Sequence, residues 1–207
     1  MPAYCNSQVF APHPSVTIND DLHENTPASE YDLNSFLPPP SEPLHTNLVR
    51  VEPLIPILHA DDLHRAFSAS PEKQNPDAYF YPFPKGRPYK MKSETLIYME
   101  KQRRRTNLLT FAITDLNSNE LAGTIALGCD PLQASLDVKL LGVKIFRKFR
   151  GTHVFLHASY LVLSYALDPV AKGGLGLVRV GWRTPPTNIQ SQKAAEKLGF
   201  SREGIMR

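Results

Sequence analysis

The alternation of β-rich and helical stretches after residue 107 is the feature that most limits how this chain can fold. Two β-rich runs, LLTFAIT and LAGTIAL, flank the segment DLNSNE, whose Asp, Asn and Ser residues are typical of turns. This arrangement predicts a β-hairpin. A further β-rich run, LDVKLLGVKIF, follows it, so this part of the chain supplies at least three strands.

The stretches that follow predict a helix, a strand and a second helix. In THVFLHASYLVLSYAL, the apolar residues Val154, Ala158, Leu161 and Tyr165 recur at spacings that place them on one helical face. We interpret LGLVRVGW as a buried strand. The run SQKAAEKLG contains strong helix formers and ends at Gly199, a residue type that favours the position after a helix.

The residues between 46 and 107 supply the first elements of the same fold. LVRVEPLIPIL predicts a strand, and LHRAFSAS, preceded by Asp61 and Asp62, predicts a short helix with an acidic first turn. Prolines and aromatic residues between Pro71 and Pro88 predict a loop, and MKSETLIYMEKQRRR predicts a helix. The complete order predicts an α+β fold, an α/β sandwich with a mixed central sheet.

The first 45 residues differ in composition from the rest of the chain. They hold eight of the 19 prolines and six acidic residues but no lysine or arginine, so their formal charge is −6. Because the whole chain carries +3, residues 46–207 carry +9. The apolar residues of the first segment follow no helical or strand period. We expect residues 1–45 to form a disordered tail and residues 46–207 to form one domain.

The net charge of the chain and the absence of certain motifs limit the classes of protein to which it can belong. A basic domain favours a phosphate-rich ligand. No run reaches the roughly twenty apolar residues of a membrane helix, and the start MPAYCNSQVF lacks the features of a secretory signal. Cys5 and Cys129 show neither a disulfide pattern nor metal-site spacing. We expect a cytoplasmic or nuclear protein without membrane contact and without a metal.

A basic cluster ends the helix predicted for residues 91–105. Lys101, Arg103, Arg104 and Arg105 stand close together there. Short runs of this kind are common on solvated helix ends, and a nucleic-acid patch is the alternative. Since aromatic residues do not alternate with the basic ones as in a stacking platform, we do not expect nucleic acid as a partner.

The junction FRKFRGTHV joins a predicted strand to a predicted helix. It contains Arg147, Lys148, Arg150, Gly151 and Thr152. A turn at this place directs backbone N–H groups and the positive end of the helix toward one point, which suits a pyrophosphate. A glycine-bearing turn with solvated basic residues is the alternative for this segment alone.

The sequence after this junction carries a distinct C-terminal motif. A strand ending in RVGWRTPPTN is followed by IQSQKAAEKLGFSREGIMR, in which an Asn precedes the pattern S-x-x-x-A-x-x-L-G-F-x-x-E-G, at Asn188, Ser191, Ala195, Leu198, Gly199, Phe200, Glu203 and Gly204. This motif resembles that of the GNAT superfamily of acetyltransferases. The motif is similar to that of the ribosomal-protein-alanine acetyltransferase branch, and the segment RGTHV is similar to the same turn in fungal members of that branch. The resemblance covers residues 46–207 and is strongest from about Leu136 onward.

The resemblance implies a GNAT fold whose fourth and fifth strands, LDVKLLGVKI and LGLVRVGW, splay apart to admit acetyl-CoA. It also implies direct attack of an amine acceptor on the thioester, without an acyl-enzyme or a metal. Backbone N–H groups and proximity then supply most of the catalysis. The implied coenzyme-binding residues are Val143, Lys144, Ile145, Arg150, Gly151, Thr152, His153, Val154, Asn188 and Ser191.

The sequence specifies the catalytic groups less completely than the coenzyme-binding residues. Relatives often carry Glu on the fourth strand just before a Gly, whereas Leu140 and Leu141 precede Gly142 here. Asp137, His153, His157 or a water molecule is then the candidate base. Ser191 is the candidate donor to the leaving thiolate, as its position in the family motif implies. Ser191 as a simple first-turn hydroxyl and Asn188 as a simple cap are the alternatives.

Two further expectations concern the C-terminal end of the domain and the acceptor site. Family domains normally continue past the E-G-x-x-R segment into two more strands of the acceptor pocket, so a chain that stops at Arg207 is expected to have an incomplete domain. An inactive coenzyme-binding or interaction module is therefore the alternative to an enzyme. We expect the aromatic loop at residues 71–88 to border the acceptor site. The oligomeric state is not predicted.

Overall fold

The computed structural model describes residues 4–7, 15–68, 89–129 and 137–205. The loop predicted at residues 71–88 therefore lies outside the described residues. The strands are β1 (Leu44–His45), β2 (Val49–Pro53), β3 (Leu108–Asp115), β4 (Glu120–Cys129), β5 (Asp137–Ile145) and β6 (Arg179–Trp182). The helices are α1 (Pro56–Phe67), α2 (Lys92–Arg103), α3 (Val154–Leu167) and α4 (Ile189–Lys197).

The six strands form one mixed sheet in the order β1-β2-β3-β4-β5-β6. Each neighbouring pair from β1 to β5 is antiparallel, whereas β6 runs parallel to β5 after the crossover through α3. The predicted hairpin is confirmed as β3 and β4, with its turn at residues 116–119. The mixed sheet confirms the predicted fold class.

Helices cover both faces of the sheet. Almost every residue of β3 and β4 is buried, which requires apolar cover on both sides of these central strands. Helices α1 and α2 pack on each other and against β4 and β3, whereas α3 packs separately against the sheet. The apolar core includes Phe67, Phe111 and Leu127, which are fully buried. This arrangement leaves β5 and β6 at one side of the sheet.

Helix α1 begins earlier than predicted. The sequence predicts a strand for residues 56–58, but Pro56 occupies the first helical turn, where its missing N–H and fixed φ are favourable. The Nδ1 atom of His59 lies 3.0 Å from the N–H of Ile55 and accepts its hydrogen bond. The helix therefore gains an N-terminal partner that apolar periodicity does not reveal.

Strand β6 is shorter and more exposed than the predicted buried strand. The prediction included Leu175 and Leu177, but their N–H groups donate to the carbonyls of Tyr165 and Ala166 at the end of α3. These bonds hold the two residues in the α3–β6 connection, so pairing with β5 begins only at Arg179. Val178 is 86% exposed, which also disagrees with a buried strand.

The prediction of a disordered tail does not fit residues 15–45. Tyr31, Leu33 and Leu37 are buried in the apolar core, although they follow no regular period. The carbonyl of Pro38 accepts a hydrogen bond from Tyr165 Oη at 2.7 Å. A few large apolar side chains and such long-range hydrogen bonds order this segment without regular secondary structure.

The predicted solvated helix end was wrong for Arg103 and Arg104. The buried carboxylate of Glu100 accepts hydrogen bonds from Arg103 Nε at 2.7 Å and from Arg104 Nε at 2.6 Å. Arg104 also pairs with Asp20 at 2.8 Å, so the acidic N-terminal segment contacts this basic cluster at Arg104, whereas Lys101 and Arg105 are exposed. The charge separation seen in the sequence thus becomes a contact within the fold.

Asp20 makes the attachment of the N-terminal segment sensitive to pH. Hydrogen bonds from Arg104 and Thr17 lower the pKa of Asp20 to about 2. A lowered pKa means that the ionised form stabilises the docked segment above the ordinary pKa of an aspartate near 4. This contribution is lost as the pH falls from about 4 to about 2.

We expect Asp20→Asn to increase amide hydrogen exchange of residues 17–24 at neutral pH. Glu30→Gln removes the same charge from an exposed residue of the segment and is the matched control. The wild type should approach the exchange of the variant as the pH falls below about 4. Equal exchange of Asp20→Asn and Glu30→Gln would contradict a role for the Asp20–Arg104 pair.

None of the helices in the described ranges is both long and apolar enough to span a bilayer.

Candidate active site

The pairing between β5 and β6 ends in the middle of β5. Their parallel pairing runs from Asp137 opposite Arg179 to Leu140 opposite Trp182, where β6 ends. Strand β5 continues to Ile145, so residues 141–145 have no partner strand on this edge among the described residues. The two strands predicted to splay are therefore β5 and β6, and we call the edge of β5 beyond Leu140, which has no strand partner in the described part of the chain, the gap.

A β-bulge at Gly142 marks the start of this gap. Ala126 pairs with Leu141 and Thr124 pairs with Lys144, so β5 contains one more residue than the facing part of β4. Gly142 has φ of 56°, a left-handed conformation that glycine adopts without strain. The bulge reverses the alternation of side chains, because Lys144 shares a face with Leu141.

Lys144 is placed differently from a coenzyme-binding side chain. Its Nζ atom lies 2.6 Å from Tyr98 Oη and 4.9 Å from the centre of the Tyr98 ring, and the side chain is buried beneath α2. Its neighbours Val143 and Ile145 are half-buried and point to the opposite face. Val143, Lys144 and Ile145 are the β5 residues predicted to bind the coenzyme. Of these, Lys144 can face the gap only through its backbone.

The turn between β5 and α3 has the predicted basic, glycine-containing character. It starts with a single 3-10 turn at Arg147–Phe149 and reaches Gly151, whose φ is 77°. The Nε of Arg150 donates to the carbonyl of Ile145 at 2.9 Å, and Thr152 Oγ1 donates to the carbonyl of Phe149 at 2.7 Å. These bonds hold the turn in a defined shape without a coenzyme.

The start of α3 presents unused backbone donors. Within the described part of the chain, no hydrogen bond engages the N–H groups of Gly151, His153, Phe155 and Leu156. Val154 N–H is bonded to Thr152 Oγ1. Free N–H groups and the helix dipole together favour an anion at this point. The predicted pyrophosphate turn therefore has the donors that its chemistry requires.

His153 and His157 both have partners near the start of α3. The Nε2 of His153 lies 2.8 Å from Asp115 Oδ1, and the Nδ1 of His157 lies 2.9 Å from Thr46 Oγ1. Burial alone would raise the pKa of Asp115, but hydrogen bonds from Ser118 and His153 outweigh burial, and the pKa is lowered. His153 therefore stands beside an ionised carboxylate at the predicted pyrophosphate turn.

Asn188 and Ser191 meet at the start of α4. Asn188 caps the helix, because its Oδ1 accepts the N–H of Ser191 at 3.1 Å. Ser191 Oγ in turn accepts the indole N–H of Trp182 at 3.0 Å. Trp182 is the last β6 residue that pairs with β5, so this chain of hydrogen bonds lies where the gap begins. Sequence reasoning missed Trp182, although it is the one tryptophan of the chain.

Asp137 occupies the opposite end of β5 from the gap. It is the first residue of the strand, and its backbone is opposite Arg179. Gly142 lies five positions further along the strand, which corresponds to roughly 17 Å. Asp137 is thus remote from the gap and from the turn. No cluster of potential metal ligands occurs in the part of the chain that the structure describes.

Comparison with known families identifies the class of protein. The family described as "Acetyltransferase (GNAT) domain" matches residues 50–201, which is most of the chain. The chain therefore belongs to the GNAT acetyltransferase family, as its C-terminal motif predicted. Acetyl transfer is the reaction of this family.

Solved structures share this fold. A GCN5-related N-acetyltransferase from Brucella melitensis is 27% identical with a TM-score of 0.66, and the match covers 80% of this chain and 70% of that chain. The GNAT-family acetyltransferase from Bacillus anthracis is 16% identical, with a TM-score of 0.58 and coverage of 79% and 86%. Mycobacterium smegmatis RimJ, in complex with CoA-disulfide, is 18% identical, with a TM-score of 0.55 and coverage of 79% and 76%. No curated protein matches the chain.

Proposed function

We propose that this chain is an acetyl-CoA-dependent N-acetyltransferase whose acceptor is a primary amine, either a protein N-terminus or a small molecule. The observation that carries the proposal is the gap between β5 and β6, followed along the chain by the free N–H groups at the start of α3. The unpaired edge of β5 can hydrogen-bond the amides of pantetheine as it would another strand. The N–H groups of the turn suit the pyrophosphate.

The residues then have distinct roles in coenzyme binding. Gly151, His153 and the first residues of α3 offer backbone donors, and Arg150 adds a positive charge beside them. Val143, Lys144 and Ile145 border the gap with their backbone. Asn188 and Ser191 lie on its other side, at the start of α4. The coenzyme would thus be held from three elements of the fold.

Direct attack needs little further chemistry from the protein. The amine nitrogen forms a bond to the thioester carbonyl carbon, the C–S bond breaks, and one proton is lost from nitrogen while one is gained by sulfur. The site holds the two substrates together, and N–H groups at the Gly142 bulge are suited to stabilise the oxyanion. Asp137 is remote, and the rings of His153 and His157 are bonded to Asp115 and Thr46, so water is the proposed proton acceptor.

A finer assignment follows from the resemblance and one structural neighbour. The RGTHV turn and the motif starting at Asn188 are similar to the fungal ribosomal-protein-alanine acetyltransferase-like branch. RimJ is among the proteins that share the fold. We therefore propose a protein N-terminus as the first acceptor to test.

An inactive coenzyme-binding module is the second candidate. Leu140 and Leu141 occupy the positions before Gly142 where relatives often carry Glu, and Leu140 is buried. Such a module would bind acetyl-CoA without releasing thiol in the presence of N-terminal peptides or small amines. Amine-dependent release of CoA, measured with a thiol reagent, distinguishes the two functions.

We expect Arg150→Ala and Asn188→Ala to weaken coenzyme binding. Loss of one charge-assisted hydrogen bond costs about 1.5–3 kcal/mol, so Arg150→Ala should raise the Kd about ten- to hundredfold. Asn188→Ala removes the cap of α4 and should raise the Kd about tenfold. Fluorescence of the single tryptophan, Trp182, reports the titration from the start of the gap.

Lys172→Ala is the matched control for Arg150→Ala. It removes an exposed basic side chain beyond the C-terminal end of α3. The control should keep the wild-type Kd. Unchanged coenzyme binding by both Arg150→Ala and Asn188→Ala, in folded protein, would exclude the proposed site.

A further inference from the structure

The indole of Trp182 connects β6 to the first turn of α4. Its Nε1 lies 3.0 Å from Ser191 Oγ, and its ring contacts Phe200 edge-on at a centroid distance of 5.7 Å. Both Trp182 and Ser191 are half-buried. The ring is therefore held on two sides, by one polar contact and one aromatic contact.

The direction of this hydrogen bond determines what Ser191 can do. An indole N–H can only donate, so Ser191 Oγ must be the acceptor. The Ser191 hydroxyl hydrogen has no acceptor among the residues that the structure describes. It is consequently available to an acceptor outside the protein. A hydroxyl that already accepts a hydrogen bond is also a stronger donor, because the two bonds polarise each other.

We propose that Trp182 is a positioning residue for acetyl transfer, and this inference rests on the proposed function. Trp182 fixes the Ser191 oxygen as an acceptor and so directs its O–H toward the sulfur that leaves the acetyl group. The gap starts at the last β5–β6 pair, Leu140 with Trp182, close to the bulge at Gly142. Trp182 and Ser191 therefore lie beside the start of the gap.

The step conserves all protons. As the amine nitrogen bonds to the carbonyl carbon, the C–S electron pair moves to sulfur, and Ser191 donates a hydrogen bond to the forming thiolate. Ser191 keeps its proton, because a serine hydroxyl is a much weaker acid than a thiol. The sulfur is protonated afterwards from solvent, and the proton lost by the amine returns to solvent.

A double-mutant cycle tests this inference. We expect Ser191→Ala to lower kcat about a hundredfold and Trp182→Phe to lower it about five- to tenfold, and we expect the Kd of acetyl-CoA, measured by calorimetry, to rise by a much smaller factor in each variant. If Trp182 acts through Ser191, the double variant should lose no more than Ser191→Ala alone. Trp182→Tyr, whose hydroxyl can donate, should retain more activity than Trp182→Phe.

Phe200→Leu separates packing from positioning. It removes the aromatic contact of Trp182 but leaves the N–H, so it should lower the melting temperature while kcat falls less than in Trp182→Phe. Multiplicative losses in the double variant, or equal kcat for Trp182→Phe and wild type, would overturn the inference and leave acetyl transfer intact. A wild-type chain that binds acetyl-CoA but transfers no acetyl group would overturn the proposed function and this inference together.

Discussion

Replacing Gly123 with alanine is expected to destabilise the protein by about 3 kcal/mol and to weaken coenzyme binding. A Cβ at this position of β4 would lie 2.0 Å from the backbone oxygen of Lys144 and 3.1 Å from the Cα of Ile145. Backbone atoms cannot rotate away, so β5 must shift where it borders the gap. The ladder between β4 and β5 would be disturbed just beyond the Gly142 bulge.

Gly128→Ala is the matched control on the same strand. Its added Cβ would lie 2.6 Å from Leu141 Cδ1 and 3.3 Å from Leu108 Cδ1, which are the ends of flexible side chains. These side chains can change rotamer, so the expected cost is about 1 kcal/mol. Urea denaturation gives both stabilities, and Trp182 fluorescence gives both Kd values for acetyl-CoA. Equal effects at the two glycines would refute the argument from backbone contact.

Glu100→Ala is expected to lower the free energy of unfolding by about 3–5 kcal/mol. The Glu100 side chain is 1% exposed and pairs with both Arg103 and Arg104. Truncation leaves two largely buried guanidinium groups without this carboxylate. Because Arg104 also holds Asp20, the N-terminal segment should detach more readily.

The control for Glu100→Ala is an exposed ion pair. Glu120→Ala removes a carboxylate that pairs with Lys148, and both side chains are more than half exposed. Such a pair contributes at most about 1 kcal/mol. Chemical denaturation compares the two variants, and proteolysis within residues 15–45 reports detachment. Similar losses from Glu100→Ala and Glu120→Ala would contradict the role given to burial.

Local patterns predicted the elements that have a regular period or a distinctive turn. The β3–β4 hairpin has a polar turn between two β-rich runs, and α3 has a four-three-four apolar spacing. The segment at residues 15–45 has neither. Its buried residues, such as Tyr31 and Leu37, take their positions from contacts with distant parts of the chain. Tertiary packing of this kind leaves no periodic signal in the sequence.

The parts of the candidate site formed by residues close together in sequence could be predicted. The spacing from Asn188 to Ser191 is a helix cap, and Gly151 next to Arg150 predicts a basic turn. Lys144 and Trp182 required the structure. The orientation of Lys144 depends on one extra residue in β5, and the partner of Trp182 comes from the following helix. A register shift and a contact between elements cannot be read from local sequence.

The order in which the chain is synthesised gives the N-terminal segment a particular place in folding. Asp20 pairs with a residue 84 positions later, and Pro38 accepts a hydrogen bond from a residue 127 positions later. These contacts cannot form until α2 and α3 have left the ribosome. Contacts of such long range also form late, because their loops are costly to close. Residues 15–45 are made before α2 and α3 and are therefore expected to dock after them.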